Sequence, residues 1–143
     1  MSRLGRKEYF MSIAELAAQR GTCSRAQVGC VLVDDRNRIK ATGYNSSHPG
    51  SCHCDDHGCL VSQGHCIRTI HAEVAAVLNL EKQYNNLTAY VTHEPCMNCY
   101  KILTAAGIKK IYYKLAYGEH AAEYYELQNE IGVEMKGFAN VPF

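Results

Sequence analysis

Three things are missing from this chain, and each absence excludes a class of protein. There is no excess of charge: 15 Lys and Arg stand against 14 Asp and Glu, a formal net charge of +1. A protein that grips a long nucleic acid through many phosphate contacts needs a basic stripe, so a small, locally recognised substrate and no long nucleic acid are expected. There is no continuous apolar run. Met1 to Gln19 reads instead as an amphipathic helix with Tyr9, Phe10, Ile13, Leu16 and Ala17 on one face, unlike a signal peptide or a membrane span, and a cytoplasmic location is expected. Nor is there an internal repeat, a low-complexity tract or a visible second domain. The 143 residues read as one domain (1–143), large enough to bury a core without disulfides.

The chain is instead rich in thiol and imidazole, with eight Cys and seven His. In a cytoplasmic chain, Cys clustered beside His points to metal binding rather than to disulfides. The hydrophobic pattern predicts strands over 28–33 and 39–44, joined as a hairpin through Arg36-Asn37-Arg38, and then no periodicity from Asn45 to Arg68. A helix over 70–80, a strand over 87–92, a helix over 96–106 stopped by Gly107, and a strand over 109–115 follow. A helix over 121–131 and a strand over 133–138 complete the chain. The order predicts an α/β fold, a mixed sheet with helices on both faces.

Two short motifs carry the chemistry: His71-Ala72-Glu73 and Pro95-Cys96-Met97-Asn98-Cys99. One imidazole and two thiolates hold a zinc ion with an open fourth position, and a carboxylate that is not a ligand can carry protons beside it. Cys96 and Cys99, three apart at a helix start, project from nearly one face, and the helix N-terminus favours their thiolate form. Residues two apart do not face each other on a helix, which leaves Glu73 free of the metal bound by His71. The same residues could close a structural zinc site with one further Cys. H-x-E placed before P-C-x-x-C, each opening a helix, favours catalysis.

The aperiodic stretch holds Cys52, His53, Cys54, His57, Cys59, His65 and Cys66. A loop of that length needs something to tie it down, and the residue density points to a second, structural Zn2+. Its four ligands are expected among Cys23, Cys54, Cys59, His65 and Cys66. Cys30 reads as a small core residue, and Cys52, His53 and His57 as bystanders.

On the paired motifs the chain resembles the cytidine deaminase superfamily, whose signature is H-x-E with P-C-x-x-C. More narrowly, Cys23-Ser24-Arg25, Gly43-Tyr44-Asn45, the Cys and His insertion, and Tyr90-Val91-Thr92 ahead of Pro95 are similar to deoxycytidylate deaminases over roughly Leu16 to Val133. The resemblance implies a three-layer α-β-α fold with a central five-stranded mixed sheet, and a catalytic Zn2+ on His71, Cys96 and Cys99. It implies Glu73 as the proton carrier in converting dCMP to dUMP and ammonia. It further implies a homohexamer, activated by dCTP with Mg2+ and inhibited by dTTP. Substrate contacts implied in this way are Asn45 on the deoxyribose, Ser24 and Arg25 near the 5′-phosphate, and Ala72 and Tyr117 on the pocket. One departure stands out: many members carry Asn two residues after the catalytic Glu, and here that position is Ala75, which offers no hydrogen bond.

Competing readings are a tRNA adenosine deaminase, which needs a basic surface that this composition lacks, and a free cytidine deaminase, which needs no phosphate clamp. From another class, a non-catalytic zinc module that binds a partner would use the same ligands without Glu73.

Overall fold

The computed structural model describes residues 2–138. Helix α1 (Arg6–Ala18) begins after the extended Gly5, not at Met1, which lies outside the described residues. Its buried stripe also differs from the expected one. Phe10, Met11, Ala14 and Ala18 are buried, whereas Tyr9 and Leu16 are 48% and 64% exposed. Small residues decide the face: Ala14 and Ala18 let the helix backbone press onto Gly29, where a Cβ would stand only 1.9 Å from the Ala14 carbonyl oxygen.

Strands β1 (Gly29–Val33) and β2 (Ile39–Tyr44) form the expected hairpin. The stretch without periodicity is not bare loop. It contains β3 (Ser46–Ser47), a single helical turn α2 (Cys54–His57), β4 (Val61–Ser62), β5 (His65–Cys66) and β6 (Thr69–Ile70). β3 pairs with β6 and β4 with β5, all antiparallel. Because Ile70 is used in pairing with Ser46, α3 (Ala72–Leu78) starts later than the predicted helix, and His71 becomes its extended N-cap.

The rest follows as β7 (Leu87–His93), α4 (Met97–Ala105), β8 (Ile108–Leu115), α5 (Ala122–Ile131) and β9 (Met135–Gly137). The main sheet has the order β2-β1-β7-β8-β9, with β1 antiparallel to β2 and β7, and β7, β8 and β9 mutually parallel. It is the mixed five-stranded sheet of a three-layer α/β fold. Alternation along the strands divides the core. Val31, Val33, Tyr90 and Tyr112 meet Phe10, Met11 and Ala14 of α1 on one face. Cys30, Leu32, Ala89, Val91 and Ile111 meet residues of α3, α4 and α5 on the other.

This topology brings one end of several elements to a single edge. β7 ends there and feeds α4, β8 ends there, and the antiparallel β1 begins there, which is the crevice position where open α/β sheets bind ligands. Helix α3 is seated at that edge by close contact with β2. A Cβ on Gly43 would lie 2.4 Å from the Ala76 nitrogen and 2.5 Å from the Ala72 oxygen, both rigid backbone. Gly43→Ala is therefore expected to lower unfolding stability by about 1–3 kcal/mol in a denaturant titration. An unchanged midpoint and slope would show that α3 does not depend on this contact.

Candidate active site

Two helix starts converge at this edge. His71 caps α3 and Cys96 caps α4, both with extended backbone, while Cys99 lies one turn into α4 and is buried. The His71 Nδ1 is 3.2 Å from the Cys99 Sγ and 3.8 Å from the Cys96 Sγ, and the three donor atoms lie within 4.8 Å of one another. Hydrogen bonding from the Cys99 thiol, and then from His71, pulls the Cys96 thiol down to about 4, while the Cys99 thiol is pushed up in exchange. Glu73 is buried beside them without joining the cluster. Burial raises its carboxyl above the usual range, with His71 opposing.

A second cluster forms from four thiols, Cys23, Cys54, Cys59 and Cys66, whose sulfurs also lie within 4.8 Å of one another. The Cys23–Cys59 and Cys54–Cys66 sulfur pairs are each 3.4 Å apart, too long for a disulfide. Sulfurs at about 2.3 Å around a tetrahedral zinc sit about 3.8 Å apart, close to what is observed. The electrostatic pattern repeats that of the first cluster. Hydrogen bonding from Thr69 leads in drawing the Cys66 thiol down to about 6, and the contact with Cys23 leads in pushing Cys59 up to about 12. The cluster has no imidazole: His65, a candidate ligand by sequence, is exposed and outside it. Its neighbour Cys66 takes the inward position, because successive residues of β5 point to opposite sides. Cys52, His53 and His57 are exposed and outside both clusters, and Cys30 is buried in the sheet.

A cavity of about 670 Å3 runs between the clusters. Cys23, Arg25, His65 and Cys66 line it, as do His71, Ala72, Glu73 and Cys96. Of the residues that the resemblance put on the substrate, Arg25, Asn45, Ala72 and Tyr117 line this cavity, Tyr117 at 59% exposure. The Arg25 guanidinium donates to the Gly64 carbonyl at 3.3 Å. Ser24 does not line it. Ser24 and Arg25 share a turn, and of the two only Arg25 reaches the wall. Asn45 is partly committed to scaffolding: its Oδ1 accepts from the Val28 nitrogen and its Nδ2 donates to the Ala26 carbonyl, both at 2.7 Å. One donor and one acceptor site of the amide remain.

Sequence reasoning missed His93, His120 and Tyr124 on the wall, and Glu94 behind it. Glu94 adjoins the Pro95-Cys96 motif, the one local signal available. His120 stands alone in a loop and gives none.

The cytidine and deoxycytidylate deaminase zinc-binding region matches residues 4–115. ComE operon protein 2 of Bacillus subtilis is 45% identical over 123 residues, 84% of this chain and 65% of that protein. The deoxycytidylate deaminase of a Mycobacterium phage is 38% identical over 126 residues, 79% of this chain and 97% of it. The crystal structure of dCMP deaminase from a cyanophage in complex with dCMP and dUMP superposes with a TM-score of 0.77 at 29% identity, over 95% of this chain and 99% of that one. The fold and site thus define an α/β protein of the deaminase class. The chain belongs to the cytidine and deoxycytidylate deaminase family. It spans less than two thirds of the length of curated relatives that it matches, 65% of the Bacillus protein and 43% of the Schizosaccharomyces pombe deoxycytidylate deaminase.

Asn45→Ala strips the Val28 N–H and the Ala26 carbonyl of their partners beside the cavity. A stability loss of about 1–3 kcal/mol is expected by chemical denaturation, and an unaltered midpoint would mean that this wall is held by something else.

Proposed function

We propose that this chain is a zinc-dependent hydrolase that converts dCMP and water to dUMP and ammonia. The observation that carries the reading is a buried carboxylate, Glu73, beside a three-donor imidazole and thiol cluster on the wall of a nucleotide-sized cavity. Three donors with no fourth among the described residues suit a catalytic zinc, whereas four thiols suit a closed structural one. His71, Cys96 and Cys99 would hold the catalytic metal. When bound, zinc supplies a water acidic enough to react at neutral pH, with a pKa of roughly 7.

Glu73 does the proton work. Its carboxylate takes a proton from the attacking water and places it on N3 of the cytosine, then delivers a proton to the departing amine. A C–O bond forms at C4, the C4–N bond breaks, and ammonia leaves. Burial of Glu73 supports this, because it favours a carboxyl that takes up a proton over one held permanently ionised. Arg25, on the wall of the same cavity, offers a fork suited to the 5′-phosphate. Asn45, Ala72 and Tyr117 would border the sugar and base.

The four-thiol cluster would hold a structural zinc that fastens the 45–70 segment to Cys23. Activation by dCTP with Mg2+, inhibition by dTTP, a homohexameric assembly, a single-domain organisation and a cytoplasmic location belong to the same reading, supported by the family resemblance. Among the described residues no helix is long and apolar enough to cross a membrane.

Ammonia release is expected from dCMP, and not from deoxycytidine, CMP or an adenosine-containing tRNA at comparable rates. No release from dCMP with or without dCTP and Mg2+ would overturn the substrate assignment. Glu73→Gln should keep its zinc while turnover falls by about 10²–10⁴-fold, and wild-type turnover would remove Glu73 from the mechanism. Metal analysis should give two zinc per chain and one for Cys59→Ser, whereas one in the wild type would eliminate the structural site.

A further inference from the structure

Outside the two thiol clusters, one pair of side chains is built into the cavity wall with no role in the chemistry above. Glu94 precedes Pro95 and Cys96 at the end of β7, and its carboxylate is buried. His120 lies on the loop between β8 and α5, and its Nε2 contacts the Glu94 carboxylate, with side-chain exposures of only 14% and 8%. The Tyr113 hydroxyl also meets this carboxylate. A buried carboxylate is costly unless paired, so the contact with His120 fixes where the imidazole sits.

The ring is held from other sides too. It meets Tyr124 edge-on at 4.8 Å between centroids, and the His120 backbone N–H donates to the Tyr125 hydroxyl at 3.3 Å. Tyr124 in turn donates its hydroxyl to the Pro95 carbonyl at 2.8 Å. Through Glu94 and Tyr124 the imidazole is tied to the segment that carries Cys96. With Nε2 committed to Glu94, Nδ1 is left without a protein partner in the described residues, on a ring that lines the cavity.

We propose that His120 contacts the pyrimidine base through Nδ1, and that Glu94 is the positioning residue that aims it. The inference rests on the dCMP reading, which places the base beside Glu73 and the cluster that holds Cys96. A hydrogen bond made by a ring already fixed in place costs little ordering entropy on binding, which is the use of a buried pair that otherwise only adds desolvation cost.

The pair can be kept while the contact is removed. A glutamine amide reaches the position of Nε2 but leaves that of Nδ1 empty, so His120→Gln retains the Glu94 contact. Zinc-loaded wild type and His120→Gln are titrated calorimetrically with dUMP and deoxyuridine, neither of which turns over. His120→Gln is expected to weaken both ligands equally, by roughly 3- to 10-fold, with zinc content and melting temperature unchanged. Glu94→Ala should weaken both similarly in the wild type and add nothing further in the His120→Gln background. Unchanged affinities in His120→Gln overturn the proposal, as does a loss confined to dUMP, which would mean a phosphate contact. Wild-type dCMP turnover is the control: if it fails, the substrate reading falls, and if it holds while His120→Gln binds normally, only this inference falls.

Discussion

The site depends on the backbone contact between α3 and β2. Gly43 admits the Ala72 carbonyl and the Ala76 nitrogen to distances that no side chain would allow. That seating fixes the first turn of α3, and with it His71 at the helix cap and Glu73 buried one step inside. The parallel strands β7 and β8 then bring Cys96 and Cys99 to the same edge. Three donors from two helix starts thus meet without any loop having to find its own conformation. Precision of this kind is what a metal site needs, because ligands on regular elements are held more tightly than ligands on loops.

The wall that the 45–70 segment supplies is built on another principle. The 45–70 segment has little apolar side chain to bury, and Leu60, Val61 and Ile67 are exposed. Its order comes from two-residue ladders, one helical turn, and four sulfurs gathered from Cys23, Cys54, Cys59 and Cys66. Cys23 and Cys66 line the same cavity as Arg25 and His65. A metal on the four thiols would therefore do more than tie down a loop: it would set the part of the cavity wall that Cys23 and Cys66 line. Linking metal binding to local folding in this way is common where a segment cannot build its own core.

Much of this was legible in the sequence, for physical reasons that differ by element. β1, β2, β7 and β8 are runs of β-branched and aromatic residues whose alternation matches the two core clusters. The two motifs are short enough for spacing alone to state their chemistry. Other features were decided by contacts that spacing does not encode. The buried face of α1 followed Ala14 and Ala18 against Gly29, not the larger Tyr9 and Leu16. Ile70 was drawn from the predicted helix into pairing with Ser46. His65 and Cys66 are equivalent as ligands on paper, and only strand alternation separates them. The pairing of Glu94 with His120 spans 26 positions and leaves no local trace.

The central claim is that chemistry follows the filling of the His71, Cys96 and Cys99 cluster beside Glu73. The most direct test is to strip the protein of metal and restore zinc stepwise while following ammonia release from dCMP. Turnover should be absent without metal and should rise in proportion to occupancy of that cluster. Full turnover by the metal-free chain, or none once both thiol clusters are filled, would contradict it.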